Sequence, residues 1–399
     1  MSTTKITAQK VSQMFFFVVI LFMMYSSMQL YITWFLPQSF LAFVSFVGLI
    51  FYLQYNKLYV TKKRLFSAIL ISFALLYEGV KIYPVSFISW IQLLSRILLV
   101  SVLIFSKFHF LYRALKLIIR VTAILILVSL IFWIIHLIGI PLPHYYVVTN
   151  NYYDHTVYYF FLLNNGSVIP RFAGLFLEPG HVGSTACLLF FLNGVTLKRW
   201  ENVVFLIAIF LSLSLAAYGL LVGCIGLHLL IKSKKACLKL VPYLVVLLLT
   251  TIFFSNYNDG DNPVNEKILM RLVFEDGEMA GNNRTSQAFD YAYDRYLKSD
   301  RVFTGMGRDV MVSGSRVGVL HGTASWQRYF FLRGYVGCTL LLAFLFYYMY
   351  SYPTKRGFAF LIIYLVCNMI RDYPLDELWL YLMVISLPVL YENKKYITK

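Results

Sequence analysis

The chain has 399 residues, of which 60% are hydrophobic and only 13% charged, with a mean hydropathy of +0.71. That composition excludes an ordinary soluble globular domain. The formal net charge is +17, but most lysines and arginines sit in short loops between apolar runs, a pattern that orients membrane helices and gives no reason to invoke nucleic acid.

The apolar runs lie near the ~20 residues a helix needs to cross a bilayer. The chain therefore reads as an all-α, polytopic integral membrane protein; a β-barrel would show short alternating segments instead. Residues Met1–Lys10 are polar and basic. The apolar run after them is too long for a signal-peptide core and lacks a small-residue cleavage site, so it is expected to be span 1, Val11–Leu36. Span 2 is expected over Ser39–Tyr55, span 3 over Leu65–Tyr83 and span 4 over Val85–Phe105. A basic loop with Lys107, Arg113, Lys116 and Arg120 leads to span 5, Val121–Ile140, which Pro141 and Pro143 end.

A Tyr/Asn-rich segment, His144–Pro170, follows and is extracytoplasmic by alternation. Span 6 starts at Pro179, a residue favoured in a first helical turn, and stops before Lys198 and Arg199. The run Val203–Ile231 has basic loops at both ends, so it is split into two short spans around Ser214–Tyr218. Span 9 is expected over Leu240–Phe254. The one long polar segment, Ser255–Gly322, is again extracytoplasmic. Spans 10, 11 and 12 are expected over Ala324–Tyr350, Phe358–Ile370 and Leu375–Tyr391. The expectation is one transmembrane domain over residues 1–399, with about twelve spans, both termini cytoplasmic, and one long loop over 255–322. Cys187, Cys224, Cys237, Cys338 and Cys367 form no CxxC pair, so no disulfide or metal framework is read from them.

The informative polar residues fall on the extracytoplasmic side. Arg171-Phe-Ala-Gly174-Leu-Phe-Leu-Glu178-Pro-Gly-His181 closes a polar loop and opens an apolar helix. It sets an arginine, a carboxylate and an imidazole at a membrane boundary, where each is costly unless used or paired. Two readings stay open: a charged helix start with Arg171 pairing to Glu178 or to lipid headgroups, or half of a site. The long loop carries Arg284 before a helix-forming stretch, the turn Phe303-Thr-Gly305-Met-Gly307, and His321 at its end. A GxG alone is weak evidence. His321, Ser325 and Arg328 have the spacing of one helix face; Arg333 follows on the same span. Arg371, Asp372, Asp376 and Glu377 lie between spans 11 and 12. For these groups the competing reading is snorkelling and local ion pairing. Arg96 is near the middle of span 4, where a charge usually faces the bundle interior. Glu78 and Lys81, three residues apart, are expected to pair with each other. No phosphate-binding P-loop, HExxH or GxSxG motif is present, so chemistry without a metal or cofactor is expected, carried by arginine and histidine.

The order Arg171-x-x-Gly174-x-x-x-Glu178-Pro179, then Arg284, Gly305-x-Gly307, His321 and Gly334-Tyr-Val-Gly337 resembles the O-antigen polymerase (Wzy) and O-antigen ligase superfamily of bacterial membrane glycosyltransferases. The likeness runs from Arg171 to about Tyr350; the N-terminal third matches only in being apolar. Many relatives carry a Ser-Arg pair at the turn between the two short spans, where this chain reads Leu213-Ser-Leu-Ala-Ala-Tyr218. The resemblance implies a GT-C-like fold in the bacterial inner membrane. It also implies transfer of a glycan from undecaprenyl diphosphate to a sugar hydroxyl of another lipid-linked repeat unit, for lipopolysaccharide, capsule or other surface polysaccharide biosynthesis. A chain-length regulator and a flippase are the protein partners it implies. In that chemistry Arg171, Arg284 and Arg328 would bind substrate, their planar forks suiting diphosphate oxygens. His321 or Glu178 would serve as the base or would position the acceptor. The alternatives are a ligase of the same superfamily and, in a different class, a polysaccharide flippase or transporter.

Overall fold

A computed structural model describes residues 2–233 except 29, 84–85, 150–152 and 165–169; short pieces between 249 and 279; and residues 287–397 except 309, 311–325 and 372. The expected span 9 lies outside the described residues for most of its length.

In chain order the helices begin with α1 (Ser2–Ser27), α2 (Gln38–Tyr55), α3 (Lys62–Ile82), α4 (Phe87–Phe105) and α5 (Phe108–Leu137). Strands β1 (Tyr145–Thr149), β2 (Tyr153–Val157) and β3 (Leu162–Asn164) follow, then α6 (Pro179–Leu192), α7 (Trp200–Leu211) and α8 (Leu215–Lys232). The two-residue strands β4 (Phe274–Glu275) and β5 (Glu278–Met279) precede α9 (Gln287–Leu297), α10 (Trp326–Ser351), α11 (Lys355–Ile370) and α12 (Glu377–Ile397). Six of these helices are long and apolar enough to cross a membrane: Thr7–Ser27 within α1, then α3, α4, α5, α8 and α10. The chain is a helical membrane protein.

Four expectations are corrected. Span 1 does not run to Leu36: α1 ends at Ser27 and a 3-10 turn occupies Tyr31–Thr33, where the Tyr31 amide donates to the Leu175 carbonyl at 3.0 Å. The basic stretch before span 5 is not a loop, because no breaker interrupts Phe108–Leu137 and Arg113, Lys116 and Arg120 are good helix formers. The all-α expectation fails in the Tyr/Asn-rich segment. It forms a three-stranded antiparallel sheet, in the order β1-β2-β3, with His155 opposite both Val147 and Asn164. The fold is thus predominantly rather than wholly helical. Span 10 is not continuous, since Gly334 breaks it with φ 65° and ψ −170°. The run Val203–Ile231 is split in two as expected, but the break is Ser212–Ser214, with Leu213 at φ 44°, and Leu215–Tyr218 of the expected turn already belong to α8.

The chain forms two compact units. One comprises residues 1–27, 33–116 and 283–399, the other 28–32 and 117–282. In the first, α3 packs on α10, α1 on α2, and α12 is the buried centre, with Leu378 to Leu387 nearly inaccessible. A helix apolar all round belongs in a bundle interior. At one end Asn56 ties the helices together, accepting from Gln13 at 2.7 Å and donating to Ser12 Oγ at 2.9 Å. In the second unit, α6 is buried along almost its whole length between α7 and α8. Gly183 permits this: a Cβ there would stand 2.6 Å from that of Ala217.

Candidate functional site

In the second unit, the stretch Arg171–Glu178 is a buried turn held by the small sheet. Phe172, Leu175 and Phe176 are buried, and the Leu162 amide at the head of β3 donates to the Gly174 carbonyl at 2.8 Å. Gly174 has φ +58°, a left-handed conformation that favours glycine. The Phe172 amide donates to Leu211 O at 3.0 Å and Arg171 Nε to Ser212 O at 3.0 Å. Arg171 therefore ties the turn to the last carbonyls of α7, which lack partners inside their own helix. Arg171 also lines a cleft with His155, Asn164 and Pro179. His155 is buried, with Nε2 3.2 Å from Leu177 O. Sequence reading missed it, because its strand, Tyr153-Asp-His-Thr-Val157, carries no clear apolar alternation and the pairing with Asn164 appears only in the fold. Glu178 is the N-cap position of α6, with Pro179 at the first turn as expected, and its side chain makes no capping bond. His181 is buried one turn in, and its amide donates to Glu178 O at 3.0 Å.

In the first unit, the loop turn and the break in α10 are built for each other. The amides of Met306 and Gly307 donate to Phe331 O and Leu332 O at 2.8 and 3.0 Å, and the Val336 amide donates to Phe303 O at 3.0 Å. Backbone this close leaves no room for side chains. A Cβ on Gly305 (φ +75°) would lie 2.3 Å from Leu332 O, and one on Gly334 would lie 2.4 Å from Gly305 N. A Cβ on Gly307 (φ +53°) would lie 2.7 Å from Lys81 O. Tyr77 bolts the junction by donating to Thr304 O at 2.7 Å. Beside it, α9 lays Phe289, Tyr293 and Tyr296 on Phe330 and Phe331, and Tyr296 Oη reaches Phe330 O at 3.0 Å.

Under this junction lies a buried charge cluster. Arg333 pairs with Glu78 at 2.6 Å, and Arg96 with Glu377 at 2.7 Å. Arg96 also donates to Tyr83 Oη at 2.6 Å and Leu375 O at 2.9 Å. Asp376 precedes Glu377 in the chain, and its amide donates to Tyr373 O at 3.1 Å. Glu78 thus pairs across the unit with Arg333, correcting the expected local pair with Lys81: a guanidinium buried in α10 needs a buried carboxylate, and Glu78 is 3% exposed. Arg333 stacks on Tyr329, 4.1 Å from its ring centroid. Arg96 does face the interior. Arg328 is partly buried in the first turn of α10. Arg284, His321, Ser325 and Asp372 lie outside the described residues.

Each arginine meets its carboxylate through one guanidinium nitrogen, Arg333 Nη2 on Glu78 Oε1 and Arg96 Nε on Glu377 Oε1, so Arg96 and Arg333 hold helices together. Arg171 donates to Ser212 O and is among the residues that line a cleft. Among the described residues no group of three or more His, Cys, Asp or Glu is placed to hold a metal ion. In comparisons with protein-family models, curated proteins and solved structures, nothing matches this chain.

Proposed function

We propose that this protein is a polysaccharide polymerase of the lipid-linked, membrane-embedded kind. It transfers a glycan from undecaprenyl diphosphate to a sugar hydroxyl of a second lipid-linked repeat unit, on the extracytoplasmic face of the bacterial inner membrane, in a GT-C-like scaffold of about twelve spans. The observation that carries the reading is that the glycines of the ordered motif set have a physical use. Gly174 takes the left-handed turn behind Arg171, and Gly305, Gly307 and Gly334 let the loop turn dock against the broken helix. A docked loop is what a site assembled from a loop and helix ends needs, because catalytic geometry has to be held rigidly.

In this reading Arg171, Arg284 and Arg328 bind the diphosphate. Fixed guanidinium donors stabilise the charge that develops as the glycosidic carbon–oxygen bond to phosphate breaks. His321 or Glu178 takes the proton of the attacking sugar hydroxyl as the new glycosidic bond forms. The transporter reading is less favoured: it needs charges lining a path, and Arg96, the main mid-span charge, is closed in a buried pair with Glu377. Loss of the gene is expected to leave single repeat units on the lipid. A ligase would instead leave long polymer on undecaprenyl diphosphate, so a gel of the lipid-linked glycan separates the two.

A further inference from the structure

We propose that a cleft in the first unit, lined by Tyr83, Ser89, Trp90 and Arg308, is a binding subsite for one acidic sugar residue. The proposal rests on the reading that the substrate is a glycan. The cleft measures about 190 Å³, and Gly79 and Leu93 complete its wall. It lies where α3 ends and α4 begins, and the docked turn places Arg308 there. Gly307 sits against Lys81 O, and the next residue, Arg308, donates from Nη2 to Val80 O at 2.7 Å.

Each lining group leaves a capacity unused. Arg308 is half-buried and makes no ion pair among the described residues, and only Nη2 of its five-donor fork is engaged there, on Val80 O. The Tyr83 hydroxyl accepts from Arg96 at 2.6 Å, which leaves its own proton to donate outward. Ser89 holds its hydroxyl 2.8 Å from that of Ser86. Trp90 is 44% exposed although it lines a cleft. An indole beside two hydroxyls and a guanidinium combines an apolar surface with a few placed polar groups, as small-ligand sites do. The indole suits the C–H face of a pyranose, the hydroxyls suit its ring substituents, and the guanidinium suits a carboxylate. A purely apolar ligand would bury Arg308 without a partner, and an isolated phosphate would leave Trp90 without a use. A lipid phosphate headgroup shares the anionic chemistry, since tryptophan also favours membrane interfaces, and the test separates the two.

The full-length protein in nanodiscs of zwitterionic lipid is titrated with methyl glucuronide and methyl galacturonide, with their neutral counterparts methyl glucoside and methyl galactoside, and with glycerol 3-phosphate. Binding is followed by saturation-transfer NMR and tryptophan fluorescence. At least one uronide is expected to bind tenfold or more tighter than its neutral counterpart and than glycerol phosphate. Arg308→Gln removes that preference, and Trp90→Ala weakens uronide binding at least tenfold while Trp90→Tyr retains most of it. The proposal is overturned if no uronide binds, if both Arg308→Gln and Trp90→Ala bind as the wild type does, or if glycerol phosphate binds as tightly as the uronides and Trp90→Ala leaves it unchanged, the result for a headgroup site. Binding is read without turnover. A protein that binds as expected but makes no polymer therefore retires the polymerase reading and not the subsite.

Discussion

At the scale of single residues, the buried pairs decide what each arginine does. Glu78 Oε2 has no hydrogen-bond partner among the described residues, so the Arg333 contact carries the burial of that carboxylate. Removing one member of a buried pair strands the other and costs about 3–5 kcal/mol. Glu78→Ala is therefore expected to lower the unfolding midpoint in detergent sharply, and Glu78→Leu with Arg333→Met to recover most of it; a double variant as unstable as the single one would contradict the pairing. Arg171 is different, because its Nε donates to Ser212 O while the residue lines a cleft. Arg171→Lys is expected to fold yet fail to restore polymer in cells lacking the gene, since an ammonium cannot reproduce the planar fork; polymer length on a gel reads the outcome. That Arg96 faces inward was legible from the cost of a charge in a span. Its partner was not, because Glu377 lies far along the chain and nothing local links the two. Glu78 misled for the converse reason: Lys81 sits at helical spacing, but the long-range partner is the buried one.

At the scale of elements, hydropathy located most helices to within a few residues, and the errors came where backbone chemistry overrides it. Apolarity continues past Ser27 and through Gly334, so the end of α1 and the break in α10 are invisible to it; both are set by backbone hydrogen bonds from distant segments. The sheet was missed because aromatic, polar strands give a weak apolar signal. The glycine junction makes a direct prediction. Gly305→Ala forces a side chain into left-handed backbone, worth about 1–2 kcal/mol, and into Leu332 O as well, so the folded yield on size-exclusion chromatography is expected to fall. Gly219→Ala in α8 meets nothing within 4 Å and is expected to be neutral or to stabilise by about 0.5–1 kcal/mol. The α9 anchor carries a pH signature. Burial pushes the Tyr296 hydroxyl above the usual tyrosine range. The unfolded form then loses its proton first as pH rises, so the stabilisation is complete below about pH 10 and declines above it. The hydrogen-exchange protection factor of α9, which removes the base-catalysed rise of the intrinsic rate, is expected to be flat up to that pH and to fall beyond it, and Tyr296→Phe to reduce the fall, with Tyr293, also pushed up by burial, supplying the remainder.

At the scale of the whole molecule, the sequence made the membrane class plain, because 60% hydrophobic residues admit few other solutions. The proposed site is read from an order of motifs; the structure gives the glycines of that order a use, while Arg284 and His321 lie outside the described residues. The central claim concerns a reaction, so a reaction tests it most directly: purified protein in detergent with defined undecaprenyl-diphosphate-linked repeat units as both donor and acceptor. The account predicts that the wild-type protein makes a ladder of lengthening glycans without added metal or nucleotide, and that Arg284→Ala and His321→Ala, folded and equal in amount, leave single repeat units. A wild-type protein that makes no ladder from any lipid-linked repeat, or variants that both make full-length polymer, would contradict it.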